Sequence, residues 1–185
     1  LALMAPKQTL THITCGALQG LQAEFEQHKP DLVLVQGDTT TAFASALAAF
    51  YAQVPVGHVE AGLRTDNIMD PYPEEANRRL ISQLAQLHFA PTEVSAANCR
   101  ASGVVGITGN TVIDALLLMA EKAPPFELPG LDFDQQRVIL ATVHRRENWG
   151  ERLQEIGQGF LEVLERFPDT ALLLPLHRNP TVREP

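Results

Sequence analysis

The sequence predicts an α/β protein built from parallel β-sheets, and three observations support this class. Short apolar runs of strand length alternate with longer segments whose apolar residues recur at helical spacing. The connections between them are short, as in right-handed strand–helix–strand units. Residues 123–136 are rich in proline, lack periodicity and divide the elements into two groups. We therefore expect one domain in residues 1–122, a linker, and a second domain in residues 137–185.

The first domain is predicted to begin with a helix over residues 9–28, because Leu10, Leu21 and other apolar residues recur there at helical spacing. Lys29-Pro30 ends this helix, since proline disfavours helical geometry in the residue before it. The elements predicted to follow are a buried strand (31–36), an alanine-rich helix beginning near Thr39–Thr41 (41–52), a strand (54–59), a helix with an acidic first turn (74–86), a strand (87–90), a helix capped by Thr92 (to 101), a strand (104–108) and a helix (111–122).

The second domain repeats this order beyond the linker. We predict a strand over residues 137–143, a helix over residues 151–167 and a strand over residues 170–176. The helix carries apolar residues from Leu153 to Phe167 at helical spacing, which indicates one face packed on a sheet. No internal repeat or low-complexity tract accompanies these elements.

The composition excludes several functional classes. A formal net charge of -8 argues against a general nucleic-acid binder, which needs a basic face to displace counterions. No apolar run reaches the roughly 18 residues that span a bilayer, and no signal peptide is recognisable, so we expect a cytoplasmic protein without membrane association. Cys15 and Cys99 fall within predicted helices without metal-ligand spacing, which favours reduced thiols over a disulfide.

Charged residues follow two predicted strands of the first domain, where parallel sheets bind ligands. Asp38 comes after a strand and Gly37, and it is equally compatible with a helix cap and with a ligand-facing role. Glu60 ends an apolar strand, where an unpaired buried carboxylate is costly. Arg64 is the structural alternative, as an ion-pair partner of Glu60. No dinucleotide or P-loop fingerprint is present.

Glu74 and Arg78 are four residues apart and therefore share one helix face, where a surface salt bridge is the simpler interpretation. Alternatively, Asp38, Glu60 and Glu74 form a set of carboxylates, since carboxylates in different environments can supply an acid and a base at neutral pH. We expect the three to converge on one hollow.

A cluster of charged residues, His144-Arg145-Arg146-Glu147, follows the first strand of the second domain. Arginine forks and helix N-termini both favour phosphate, although a solvated charge cluster is the alternative. His177 closes the last strand in a similar way, and a purely structural hydrogen bond explains it equally well. The four remaining histidines lack metal-ligand spacing, and we assign them no role: His12, His28, His58 and His88.

Together these segments resemble the non-hydrolysing UDP-N-acetylglucosamine 2-epimerases. The matching segments, in family order, are KPDLVLVQGDTTTAFASALAAFYAQVPVGHVEAGLRT, PYPEEANRRLIS, HFAPTEVSAANC, ITGNTVIDALL, ATVHRRENWGERL and LPLHRNPTVREP. The resemblance implies two Rossmann-like domains of the type-B glycosyltransferase architecture. It also implies interconversion of UDP-N-acetylglucosamine and UDP-N-acetylmannosamine, which supplies the latter for bacterial surface polysaccharides.

The resemblance further implies a mechanism and residue roles. UDP is eliminated to leave 2-acetamidoglucal and is then added back, with no cofactor or metal. Asp38, Glu60 and Glu74 are the acid and base candidates, and His144 supports nucleotide binding or catalysis. Four further residues are expected to contact substrate, departing UDP or a regulatory UDP-sugar: Arg78, Arg145, Arg146 and His177. The UDP-sugar is the expected partner, also as a candidate allosteric activator, and a homodimer is expected for the full-length protein.

The family's N-terminal Gly-Thr-Arg-Pro-Glu turn and C-terminal Ser-Gly-Gly turn are absent from this sequence. We therefore expect the second half of an N-terminal Rossmann-like domain in residues 1–122 and the first half of a C-terminal one in residues 137–185. Incomplete sheets would expose apolar faces and open edges, so we expect the isolated segment to be inactive and poorly stable.

Three alternatives remain open from the sequence. A glycosyltransferase of the same architecture is disfavoured by the combination of HVEAGLRT, PEEANR and HRREN. A hydrolysing epimerase, which releases free N-acetylmannosamine and UDP, is harder to exclude from the sequence. The third alternative, from another functional class, is a non-catalytic UDP-sugar-binding or assembly fragment.

Overall fold

The structure is a computed structural model that describes residues 1–3, 5, 8–124, 126–145, 148 and 150–176. The chain divides into two compact units, Leu1–Glu121 and Lys122–Pro185. Each unit holds a parallel β-sheet with helices between consecutive strands, so the predicted α/β class is confirmed.

Helices and strands alternate through the first unit, and the last helix extends one residue beyond it. The elements are α1 (Leu10–His28), β1 (Val33–Gln36), α2 (Thr40–Tyr51), β2 (Val56–Val59), α3 (Glu74–Leu84), β3 (Leu87–Ala90), α4 (Glu93–Cys99), β4 (Val104–Ile107) and α5 (Thr111–Lys122). The four strands form one parallel sheet in the order β1-β2-β3-β4. Every element predicted from residue spacing is present, with ends that differ by a few residues.

Two of the helix starts are fixed by the threonines that the sequence singled out. The Thr39 hydroxyl accepts a hydrogen bond from the Ala42 amide at 3.1 Å, and Thr92 caps α4 through the Ser95 amide. Such caps satisfy backbone donors that a helix start leaves unpaired. Because Thr39 caps α2, the carboxylate of Asp38 is available for another task.

Helix α3 ends two residues earlier than predicted, at Leu84. Ala85 is already extended, and the Gln86 amide donates to the Val56 carbonyl at 2.9 Å, while the Gln86 side chain accepts from the Val56 amide at 2.6 Å. These bonds draw the chain into the sheet, which terminates the helix.

The core of the first unit lies between the sheet and helix α2. Its buried members are Val35, Ala42, Ala46, Ala49, Val56, Ile81 and Ala85. Alanines on α2 allow the helix backbone to approach the sheet and its neighbours closely, as the alanine-rich sequence predicted.

The second unit contains β5 (Arg137–Leu140), α6 (Glu151–Arg166) and β6 (Thr170–Leu173), with the two strands parallel. Strand β5 was predicted to reach residue 143 but ends at Leu140, because its partner β6 ends at Leu173 and the last ladder bond is Ala141 N–H to the Leu173 carbonyl. An ion pair between Arg137 and Asp169 joins the starts of the two strands, and its hydrogen bonds lower the pKa of Asp169.

Apolar side chains are exposed on an edge strand and on a helix of the first unit. Leu34 on the edge strand β1 and Leu116 on α5 are 60% and 68% exposed, and α5 buries none of its residues. Cys15 and Cys99 are free thiols, as predicted. Within the described ranges, no helix is long and apolar enough to cross a membrane.

Candidate active site at the carboxyl ends of β1 and β2

The parallel register brings the ends of β1 and β2 to the same edge of the sheet. Gln36 lies opposite Val59, and the Gly37 amide donates to the Val59 carbonyl at 3.0 Å. Gly37 has φ +70°, which glycine adopts without strain and which turns the chain sharply after β1. Asp38 and Glu60 therefore leave the sheet side by side, as their positions in the sequence predicted.

Asp38 is held by two residues of α3. The Arg78 guanidinium donates through Nη2 to Asp38 Oδ2 at 2.6 Å, and Asn77 Nδ2 donates to the Asp38 carbonyl at 2.8 Å. The side chain of Arg78 is 10% exposed and that of Asp38 is 27% exposed. A partly desolvated ion pair with a fixed backbone leaves the carboxylate little rotational freedom.

Glu60 has an unusual backbone conformation for a residue with a side chain. Its φ is +65°, a conformation that costs non-glycine residues about 1 to 3 kcal/mol and that clusters at functional sites. Glu60 Oε2 lies 3.7 Å from the position that a Cβ at Gly37 would occupy. The carboxylate is thus directed to the Gly37-Asp38 turn.

Arg64 does not serve as the ion-pair partner that the structural alternative required. Its guanidinium donates to the Ser82 hydroxyl at 2.8 Å and to the Leu63 carbonyl at 2.7 Å. Glu60 is half-buried, and an ion pair with Arg64 therefore does not explain its position.

Glu74 is the first residue of α3, the helix that supplies both contacts to Asp38. The surface salt bridge expected between Glu74 and Arg78 is replaced, because Arg78 pairs with Asp38 and with Glu75. Glu74 is half-buried at the start of the helix, one turn before Arg78. The structure thus joins Arg78 to Asp38 and directs Glu60 to the turn that carries Asp38. Glu74 lies one helical turn before Arg78, and the convergence of all three carboxylates on one hollow stays a prediction.

Glu75, to which the sequence assigned no role, is fully buried. Its carboxylate accepts from Arg79 Nε at 2.6 Å and from the Thr65 amide at 3.1 Å, and it lies 3.3 Å from Arg78 Nη1. The available signal was spacing, since an acid three and four residues before two arginines can pair with both on a helix.

Two histidines to which the sequence assigned no role lie beneath the site. His58 and His88 are register partners on the adjacent parallel strands β2 and β3, and both are fully buried. His58 Nε2 is 2.8 Å from the Gly37 carbonyl, which makes it the donor to the turn that carries Asp38. Burial lowers the pKa of His58 despite this bond, and burial also lowers the pKa of His88, with Arg64 adding to the effect at both.

These lowered pKa values predict a loss of stability in acid. In the unfolded chain a histidine titrates near 6.5, so below that pH the unfolded state binds more protons than the folded state, and the free energy of unfolding falls. We expect the Tm to fall by about 2 to 8 °C for each kcal/mol lost as the pH is lowered below about 6.5. Thermal unfolding across this pH range measures it. The His58→Gln variant should lose part of this dependence, while His28→Gln, at an exposed position of α1, should retain it.

Two of the four site residues predicted in the second unit lie within the described residues. His144 and Arg145 are exposed and follow β5 by four and five residues, and the Asn148 amide donates to the Arg145 carbonyl at 3.1 Å. They do not directly follow the strand, because β5 ends at Leu140. Arg146 and His177 lie outside the described residues. The roles assigned to these four residues stay predictions.

The described residues include no group of three or more histidine, cysteine or acidic side chains placed to hold a metal ion. The chemistry that the site itself offers is that of carboxylates with a guanidinium beside them. Such a site can take up and deliver protons at a carbon or oxygen atom of a bound molecule.

A sequence model of the UDP-N-acetylglucosamine 2-epimerase family matches residues 1–185. The UDP-N-acetylglucosamine 2-epimerase of Neisseria meningitidis serogroup A is 49% identical over 197 residues, covering 100% of this chain and 53% of the relative. That of Escherichia coli K12 is 46% identical over 198 residues, covering 100% of this chain and 52% of the relative.

A solved structure of the Neisseria meningitidis UDP-GlcNAc 2-epimerase bound to UDP-GlcNAc superposes with a TM-score of 0.91. The two are 48% identical, and the match covers 98% of this chain and 52% of that one. The chain thus spans about half the length of the curated relatives it matches. Because the family match extends over every residue, the chain belongs to the UDP-N-acetylglucosamine 2-epimerase family.

Proposed function

We propose that a full-length protein carrying this sequence interconverts UDP-N-acetylglucosamine and UDP-N-acetylmannosamine. The observation that carries the proposal is the placement of Asp38 and Glu60 at the carboxyl ends of two adjacent parallel strands, with the Glu60 carboxylate directed to the Gly37-Asp38 turn. Family membership supports this ligand class, because the similar Neisseria meningitidis enzyme was solved with UDP-GlcNAc bound.

The chemistry of the substrate explains why carboxylates are needed. The hydrogen on the sugar carbon that bears the acetamido group has no neighbouring ketone to acidify it, so simple deprotonation and reprotonation is unfavourable. In the proposed route a carboxylate takes this proton while the bond from the anomeric carbon to UDP breaks, and UDP leaves with the bonding electrons. The product is 2-acetamidoglucal.

The reverse steps complete the epimerisation. A second carboxyl group, in its protonated form, delivers its proton to the opposite face of the same carbon, and a phosphate oxygen of UDP forms a bond to the anomeric carbon again. Exchange with solvent then removes the proton from the first carboxyl group and restores that of the second. The removal of one proton and the delivery of the other need one carboxyl group on each face of the sugar ring, because a single group cannot reach both faces unless the sugar moves. Asp38, Glu60 and Glu74 are the candidates, and the proposal leaves the pairing of residue to face to experiment.

We propose that Arg78 holds the carboxylate of Asp38 and does not bind the departing UDP. Both terminal nitrogens of its guanidinium are engaged by carboxylates, and the side chain is nine-tenths buried. An arginine in this position holds the Asp38 carboxylate in one orientation through a short charge-assisted hydrogen bond. Capture of the pyrophosphate is proposed for Arg145 and the cluster around it, with His144 supporting nucleotide binding or catalysis. A homodimer and allosteric activation by a UDP-sugar remain predictions.

Solvent deuterium tests the reaction. In heavy water, the full-length protein should convert UDP-N-acetylglucosamine into intact UDP-N-acetylmannosamine with deuterium at the acetamido-bearing carbon, measured by NMR and mass spectrometry. Residues 1–185 alone should give no turnover in the same assay. Release of free N-acetylmannosamine with UDP would establish the hydrolysing alternative instead. UDP-sugar binding without any turnover would establish a non-catalytic role.

A further inference from the structure

The side chain of Glu75 is fully buried, and its charge is shared among three partners from two parts of the chain. Oε1 accepts from Arg79 at 2.6 Å, while Oε2 accepts from the Thr65 amide at 3.1 Å and lies 3.3 Å from Arg78. Arg79 also donates to the Thr65 carbonyl at 2.7 Å. Glu75 therefore ties the first turns of α3 to the loop that follows β2.

Arg78 is the point at which this network meets the site. One terminal nitrogen contacts Glu75, and the other contacts Asp38 at 2.6 Å, a residue 40 positions away in sequence. A guanidinium is planar, so fixing one nitrogen fixes the direction in which the other points. The position of Arg78 relative to Asp38 is thus set in part by a carboxylate that does not belong to the site.

The charges explain why Glu75 and not a neutral residue occupies this place. Two carboxylates, Asp38 and Glu75, balance two guanidinium groups, Arg78 and Arg79, in a cluster whose centre, Glu75 and Arg78, is buried. Without Glu75, Asp38 would be the one carboxylate that pairs with Arg78 within the described residues. The guanidinium would then be held at one terminal nitrogen and could rotate about that contact.

We propose that Glu75 is a positioning residue for the reaction, acting through Arg78 on the carboxylate of Asp38. The inference rests on the function proposed above and extends it to a residue that makes no contact with Asp38 itself. Its loss should lower kcat with little change in KM, because the orientation of the reacting carboxylate changes while the substrate-binding groups remain.

The test is Glu75→Gln in the full-length protein, with Glu93→Gln as the matched control. Glu93 also lies in the first turn of a helix and pairs with an arginine, but its side chain is 77% exposed. We expect kcat to fall about 10²-fold for Glu75→Gln, the effect of a small misplacement of a reacting group. KM should change little, because the groups that bind the substrate are untouched. Glu93→Gln should leave both unchanged.

A double variant separates positioning from simple destabilisation. If Glu75 acts through Asp38, adding Glu75→Gln to Asp38→Asn should lower kcat little further, whereas fully additive losses would overturn the proposal. Wild-type kcat in folded Glu75→Gln would also overturn it. Should that variant fail to fold, Glu75→Asp keeps the charge but withdraws it by one methylene; reduced kcat supports the proposal, and wild-type kcat overturns it. Wild-type activity of Asp38→Asn alone would instead refute the proposed role of Asp38.

Discussion

Replacing Asp38 by asparagine or Glu60 by glutamine in the full-length protein is expected to lower kcat by about 10² to 10⁴-fold, the usual contribution of a general acid or base. The amides preserve the size of each side chain but can neither take nor deliver a proton at neutral pH. The measurement is steady-state turnover of UDP-N-acetylglucosamine for each variant.

UDP binding should survive both substitutions, because the carboxylates are assigned to the sugar and not to the nucleotide. Calorimetric titration with UDP checks this point. Asp31→Asn is a matched control, since Asp31 is an exposed carboxylate before β1, at the opposite end of the strand from Asp38. Turnover within a few-fold of wild type in Asp38→Asn and Glu60→Gln would refute the acid–base assignment. Equal losses in Asp31→Asn would indicate a general effect of removing charge.

Gly62→Ala should strongly destabilise the first unit, because the loop after β2 approaches α4 at this residue. Gly62 has φ +88°, and a Cβ there would lie 2.0 Å from the Ser95 carbonyl oxygen, a backbone atom. The amide of Asn98 also donates to the Gly62 carbonyl at 2.9 Å, which holds the loop on the helix. We expect a loss of about 3 kcal/mol or more, combining left-handed strain with overpacking.

Gly109→Ala isolates the contribution of the backbone conformation. Gly109 has φ +76°, but no atom lies within 4 Å of the position of its Cβ. We expect this variant to lose about 1 to 2 kcal/mol from strain alone. Chemical denaturation of both variants gives the comparison, and equal losses would show that the approach of Gly62 to α4 is not close. Because Gly62 lies two residues after Glu60, its substitution should also lower turnover more than that of Gly109.

The secondary structure was predictable because its signals are local. Helical spacing placed α1 and α6, apolar runs placed the strands, and threonines marked the starts of α2 and α4. The errors lie at ends that depend on partners distant in sequence. Strand β5 stops at Leu140 because β6 offers no further partner, and α3 stops at Leu84 because the chain joins Val56 in the sheet.

The candidate site was predictable in part. Asp38 and Glu60 stood out because a charged residue at the end of a buried parallel strand faces the ligand edge of the sheet. Glu75, in contrast, looked like one of several acids in the first turn of a helix. Its burial follows from the packing of α3 against the loop after β2. The local sequence distinguishes Glu75 from its neighbour Glu74 through the spacing to Arg78 and Arg79, which does not reveal burial.

The sequence by itself determined the α/β class, the order of the elements, the capping threonines and the two strand ends that carry Asp38 and Glu60. Each of these depends on residues within a few positions of one another, so spacing and residue type suffice. Only the tertiary structure decided that Arg78 pairs with Asp38 across 40 residues, that Glu75 is the buried partner of Arg78, and that His58 supports the turn at Gly37. These contacts depend on strand register and helix packing. Both bring together side chains that are far apart in sequence, and the sequence separation of two residues does not predict their distance in the fold.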